Sequence, residues 1–166
     1  MSKPRLKVRI GGLQKNSRGM KSRSFSIKKH KRRKKGELTK LKDALWELCK
    51  LITRKRCVQP DGTWICYTSG KRIVFPKDAH TGHCIPSSLC SVELRYDLKN
   101  LRVQTYDQNI NKNGNPLQFE RNLIRDHGQE YMDDLWNRNE ATKGKTYTKE
   151  WFIEKINSYT SLLEKE

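Results

Sequence analysis

Apolar residues recur at three- and four-residue spacings in several stretches of the chain, and each stretch predicts a helix. Leu41, Leu45, Leu48 and Ile52 form one stripe with Lys40, Lys42, Glu47 and Lys50 left for solvent, which predicts a helix capped by Thr39. After Pro116, the positions of Phe119, Leu123 and Ile124 suit a helix closing near His127-Gly128, and Tyr131, Met132, Leu135 and Trp136 suit a short second one. Thr148 then caps a last helix with Phe152, Ile156, Tyr159 and Leu163 on one face. Between the first and second helices the pattern changes to short β-favouring pieces: Cys57-Val58, Trp64 to Cys66, and Arg72 to Phe75, broken by Pro60-Asp61-Gly62 and Ser69-Gly70. These predict small hairpin strands and an α+β fold. Residues 78–116 lack long periodicity. They hold three short apolar touches (Ile85, Leu94 and Leu98-Leu101-Val103) among dense His and Asn, so chemistry is expected there rather than packing.

Charge divides the chain. Through Lys40 it carries 16 Lys and Arg against one acid, Glu37, while the other 126 residues carry 20 against 17. Residues 1–36 have too few apolar side chains to offset the entropy of ordering a backbone, and are expected to be a disordered basic arm when free. Repelling cations gain most by displacing counterions from a phosphate backbone, so a nucleic acid is the expected partner, with steep salt dependence; a solubilising or localisation tail is the plainer reading. Residues 37–166 are enough for one core, starting near Thr39. No stretch approaches the roughly 18 consecutive apolar residues a membrane-crossing helix needs, and no apolar signal segment follows the basic start. Five Cys, an odd number, argue for reduced thiols, and a cytoplasmic location is expected.

The informative run is Asp78-Ala-His80-Thr-Gly-His83-Cys-Ile85-Pro86, then Leu94-Arg95-Tyr96-Asp97 with Asn100-Leu101, then Asn109-Ile-Asn-Lys112-Asn-Gly114-Asn115. In order it reads His83, Asn100, Asn109, each beside an apolar touch. Hydrolysis of a phosphodiester needs a base for water, a divalent cation for the leaving oxygen and a group that holds the imidazole in its useful tautomer. His and Asn can supply these parts, although in a polar loop the same residues also make turns and caps.

These motifs, with Leu123-Ile124 and Gly128-Gln129-Glu130 after them, resemble the NinG/Rap family of phage recombination nucleases and, more broadly, the HNH or ββα-metal endonucleases. The resemblance runs from about Thr39 to the C-terminus. It implies an HNH core of two antiparallel strands and a helix around one divalent ion, magnesium or manganese, with flanking helices, and an enzyme cutting branched DNA such as Holliday junctions and D-loops. For a phage-encoded chain the location would be the host cytoplasm. Carried over, His83 matches the general base; His80 matches a metal ligand, with the Asp78 carboxylate as its rival; Asn100 matches the middle Asn that ties the loop and orients the base; Asn109 matches the metal ligand that opens the helix. Lys112 matches a phosphate-facing lysine just inside that helix. Together with Arg95 and the arm residues Lys28, Lys29, Lys31, Arg32, Arg33, Lys34 and Lys35, it makes up the nucleic-acid-binding set.

One departure matters. The family usually carries two Cys-x-x-Cys pairs that form a zinc knuckle; here the first is Cys66-Tyr67-Thr68-Ser69 and the second Thr105-Tyr106-Asp107-Gln108. Ser, Thr and Gln are poor zinc donors, so no structural zinc is expected, and packing by Trp64, Tyr67 and Tyr106 together with hydrogen bonds must replace it. Cys57, Cys84 and Cys90 offer no paired spacing for rebuilding the site. Loss of the knuckle motivates a rival: a non-cutting nucleic-acid-binding or assembly protein that keeps the HNH fold. A ribosome-attached RNA-binding protein also fits the tail. A homodimer would suit two-fold junction cutting, with the last helix offering a seam, and the same stripe packs equally well inside a monomer.

Overall fold

The computed structural model describes residues 36–165; the basic arm and every arm residue named above lie outside the described residues, apart from Gly36. Helices dominate, and two small antiparallel sheets complete an α+β fold. Helix α1 (Glu37–Cys57) starts two residues before Thr39. Gly36 is its N-cap, without a side-chain hydrogen bond, so Thr39 lies in the first turn and caps nothing. Its buried face is Leu45, Cys49, Ile52 and Thr53, rotated slightly from the leucine stripe. Strands β1 (Trp64–Ile65) and β2 (Arg72–Ile73) form the first hairpin, shorter than its apolar run suggests, since Val74 and Phe75 are exposed beyond the pairing.

The second hairpin positions the candidate chemistry. Strand β3 (His80–His83) pairs with β4 (Leu101–Gln104) in the register His80 with Gln104, Thr81 with Val103, Gly82 with Arg102 and His83 with Leu101. Alternation puts Thr81, His83, Leu101 and Val103 on one face, and His80, Gly82, Arg102 and Gln104 on the other. The first face meets α1: Leu101 packs with Leu45, Cys49, Tyr96 and Phe152. Between the strands lie the short helix α2 (Val92–Arg95), capped by the Ser91 hydroxyl, and a 3-10 turn, Leu98–Asn100.

After β4 the chain makes a single π-helical turn, Asp107–Asn111, and then three residues with left-handed backbones: Asn113 (φ 50°), Gly114 (φ 84°) and Asn115 (φ 47°). Asn and Gly tolerate this region best, and the bend stops the turn from continuing into a helix. Asn109 therefore does not open the helix as the resemblance implied, and Lys112 caps the turn instead of lying inside a helix. Helix α3 (Pro116–His127) begins only after the bend and stops at Gly128 (φ 86°), where α4 (Gln129–Thr142) turns off. Phe119, Leu123, Met132 and Leu135 from this pair bury Cys84, Ile85 and Leu94. Helix α5 (Lys149–Lys165) starts at Thr148, whose hydroxyl accepts from the Trp151 N–H. Its stripe of Phe152, Ile156 and Tyr159 packs within the chain against α1 and Tyr96. No described helix is long and apolar enough to cross a membrane, and all five cysteines are unpaired.

Candidate functional site

His83 ends β3 with its ring half-buried and stacked on Trp46 of α1, centroids 5.1 Å apart and planes 10° from parallel. Its Nε2 lies 3.0 Å from the Arg95 carbonyl oxygen. A carbonyl only accepts, so in the neutral ring Nε2 carries the hydrogen and Nδ1 keeps its lone pair. Burial pulls the imidazole down from its ordinary value to about 4, the carbonyl opposes this, and the nearby Arg95 charge adds to it. At neutral pH the ring is therefore an uncharged base held in one tautomer.

His83 lines a cleft of about 280 Å³ with Ser87, Ser88, Asn109, Asn113 and Gly114. The π-helical turn brings Asn109 there, and among the described residues its amide has no hydrogen-bond partner. A Cβ on Gly82 would stand 3.2 Å from Asn109 Oδ1 and 1.8 Å from Gln104 Oε1, so only glycine lets the turn lie this close to β3. Gln104 is fully buried and donates to Thr68 Oγ1 (2.9 Å) and the Gly114 carbonyl (2.7 Å), tying the bend to the hairpin; its Oε1 has no partner. A second cleft, about 430 Å³, shares His83 and Ser87 with the first and continues along α1 past Trp46, Lys42 and Thr39, with Arg95 on its other wall.

The remaining predicted residues divide by location. Asn100 is completely buried and away from the cleft. Its Oδ1 accepts from the Ile85 N–H (2.8 Å), and its amide donates to the Ile85 and Leu94 carbonyls and the Cys90 sulfur (each 3.3 Å). It ties the loop behind His83 and makes no hydrogen bond to the imidazole. His80 starts β3, about 10 Å along the strand from His83, with its ring edge-on to Tyr106 at 5.4 Å. Asp78 is exposed on a 3-10 turn. Neither lines the cleft, and among the described residues no three His, Cys, Asp or Glu side chains gather where they could hold a metal. Arg95 braces the Ser87 carbonyl at 2.7 Å, and Lys112 makes an exposed ion pair with Asp107 at 3.4 Å.

The positions of the missing knuckle do converge, linked by hydrogen bonds. Cys66 Sγ accepts from the Thr105 N–H (3.3 Å) and lies 3.7 Å from the Thr68 and Thr105 hydroxyls. Thr68 donates to Gln108 Oε1 (3.3 Å), which also accepts from Asn115 (2.8 Å). Burial pushes the Cys66 thiol up, but hydrogen bonds from Ser69, Thr105 and Thr68 outweigh it and bring it to about 7. One thiol and neutral oxygens already engaged with one another do not make a tetrahedral zinc site. Trp64 and Tyr67 brace the surroundings, through the Arg54 carbonyl and through Phe119 with Asp126. Tyr106 takes no part; it is exposed beside His80.

No protein-family model, curated protein or solved structure matches the chain. Sequence reasoning missed Trp46 and Gln104. A glutamine closing the apolar strand Leu101-Arg-Val-Gln104 was the available signal for a buried polar tie, whereas Trp46 sits beside Leu45 with nothing local to distinguish it.

Proposed function

We propose that the protein is a metal-dependent DNA endonuclease of the HNH type, with the hairpin β3–β4 and the Asp107–Asn111 turn as its core. The observation that carries the reading is the shared cleft: a neutral imidazole with a defined tautomer and an amide without a partner among the described residues line one open space. In this mechanism His83 Nδ1 takes a proton from a water, whose oxygen then attacks phosphorus, while the Arg95 carbonyl and the Trp46 ring hold the imidazole in place. Burial keeps the ring neutral, so the base needs no prior deprotonation at pH 7.

The donor set fits a hydrated magnesium or manganese ion held by the Asn109 oxygen and shared with substrate phosphate, since such ions keep most of their waters; it does not fit a preformed carboxylate cage. Bound there, the ion would neutralise charge on the leaving oxygen, and the products would carry 5′-phosphate and 3′-hydroxyl ends. The continuation of the cleft carries the cations Arg95 and Lys42 for a flanking strand, with the Asp43 carboxylate beside them, and the basic segment joins α1 at Gly36, one turn before Thr39. Branched DNA is the substrate suggested by the family resemblance.

A non-cutting DNA-binding protein is the second reading, favoured by the absence of carboxylates from the lining of the cleft. Incubation of the full chain with a labelled four-way junction and magnesium or manganese separates the two. Cleavage by the wild type that is lost in His83→Ala and Asn109→Ala, with binding retained, supports the enzyme. Equal binding by all three proteins and no cutting with either ion leaves the binder.

A further inference from the structure

An unassigned cavity of about 530 Å³ lies between α1, α5, β4 and the α3–α4 corner. It shares no lining residue with the His83 cleft. Its wall carries the Arg102 guanidinium, half-buried and stacked over Tyr67 at 5.5 Å. One arm of that fork braces the backbone, donating to the carbonyls of Leu101 (2.7 Å), Lys99 (3.3 Å) and Leu98 (3.5 Å). The other arm meets no carboxylate, reaching His127 Nε2 at 3.0 Å and the Tyr131 hydroxyl at 3.5 Å. No carboxylate among the described residues pairs with Arg102. Asp97 also lines the cavity, but its oxygens are taken by the Lys99 N–H and by Arg138. Lys99 adds a second cation, held by an exposed 3.4 Å pair with Asp134 that contributes little and lying 5.6 Å from the centre of the Tyr131 ring.

Beside these cations stands an aromatic surface. The His127 and Tyr131 rings stack at 4.6 Å and 20°. An unneutralised guanidinium suits the paired oxygens of a phosphate, a stacked ring pair suits the face of a base, and the volume lies within the range of small-ligand pockets, about 300–1,000 Å³.

We propose that this cavity binds a nucleotide unit, with its phosphate against Arg102 and Lys99 and its base against the His127–Tyr131 pair. The site does not depend on the cleavage reading, since a protein that cuts nothing can hold a nucleotide here. The unit comes either from a free mononucleotide or from a nucleic-acid strand, and both present the same chemistry.

Amide NMR titration of the full chain tests this with thymidine 5′-monophosphate, thymidine, inorganic phosphate and a short oligothymidylate. Saturable shifts at Lys99, Arg102, His127 and Tyr131 with the mononucleotide assign a free-nucleotide pocket. The same shifts with the oligonucleotide alone assign a strand site. Arg102→Gln and Lys99→Gln should each weaken binding about tenfold, the loss expected for one charge-assisted contact. Melting curves establish that the variants fold, and if Arg102→Gln does not, Lys99→Gln and His127→Ala decide. Shifts absent from these residues, unchanged affinity in the folded variants, or inorganic phosphate matching the mononucleotide in affinity would overturn the proposal.

Discussion

Two polar clusters meet on the segment from Gln104 to Asn115 and have opposite characters. Around Cys66, Thr68, Thr105 and Gln108 each side chain is answered by a neighbour, and the group is largely closed to solvent. Around His83 and Asn109 the side chains line a cleft, and one ring nitrogen and a whole amide are left without partners among the described residues. Gln104 and the Asn113-Gly114-Asn115 bend connect the two. A satisfied buried network holds geometry, whereas polar groups left open at a cleft are free to act on something else. On the proposed reading, the first cluster holds the structure and the second carries the chemistry.

The sharpest way to break this contrast is at the base. His83→Ala should lower junction cleavage about 1,000-fold, within the range for loss of a general base, with a loss of stability of only about 1–2 kcal/mol from its stack on Trp46 and its hydrogen bond to the Arg95 carbonyl. A large fall in melting temperature with unchanged cleavage would move His83 to the structural side. Asn100→Ala should do the reverse. It leaves the Ile85 N–H and the neighbouring carbonyls unsatisfied in a closed interior, a loss of about 3 kcal/mol in urea unfolding. Any activity that survives should scale with the folded fraction.

Gly82→Ala strikes both clusters. Its Cβ would stand 1.8 Å from Gln104 Oε1, and Gln104 cannot swing aside without releasing Thr68 and Gly114. A loss of about 2 kcal/mol is expected, the scale of overpacking a filled core, together with a fall in cleavage beyond that scale because Asn109 moves with the bend. Unchanged cleavage in the folded variant would show that the bend does not set Asn109.

The sequence made some of this legible and hid the rest for a physical reason. Helices α1, α3, α4 and α5 were readable because their apolar stripes follow the 3.6-residue period, and Gly128 marked the end of α3. The Gly36 cap was not, because a threonine three residues on is the better acceptor for the free N–H groups of a first turn and nothing local favoured the glycine. His83 and Asn109 stood out through their motif, yet the distance of His80 and Asp78 from the cleft depends on where β3 begins, which His80-Thr-Gly-His83, without an apolar alternation, does not mark. The polar replacement for the knuckle was expected in kind, but Thr68 and Gln104 enter it only through tertiary pairing of β4 with the Cys66 turn. Trp46 belongs to the same class: its meeting with His83 is set by how α1 crosses the hairpin.

Titration of His83 sharpens the comparison through pH. Its folded value, about 4, lies below the ordinary 6.5, so the unfolded chain takes up the proton first. The contribution of this group to stability is complete above pH 6.5, declines as pH falls from 6.5 through 4, and levels off below. The full shift corresponds to about 3 kcal/mol, which partial exposure of the ring cuts to about 2 kcal/mol. Urea unfolding of the wild type and His83→Phe at pH 7 and pH 4.5 isolates it, since the phenyl ring keeps the stack on Trp46 and every other titrating group is common to both. Equal pH slopes in the two proteins would mean that the imidazole is hydrated and unshifted.

The smallest effect is expected at Lys112, on the exposed rim of the π-helical turn. Its ammonium lies 3.4 Å from the Asp107 carboxylate, and both side chains are more than half exposed, so the pair contributes little to folding and opens readily. If Lys112 turns to a DNA phosphate beside the cleft, Lys112→Gln should lower affinity a few-fold and reduce the slope of log affinity against log salt by about 0.9, the value for one phosphate contact on duplex DNA. Melting should not change. Asp107→Asn serves as the counterpart, because it frees the lysine without removing it and should strengthen binding slightly at low salt. Should both variants bind with the wild-type slope, Lys112 is only the partner of Asp107, and the cleft takes its phosphate contacts from Arg95 and Lys42 on the α1 side instead.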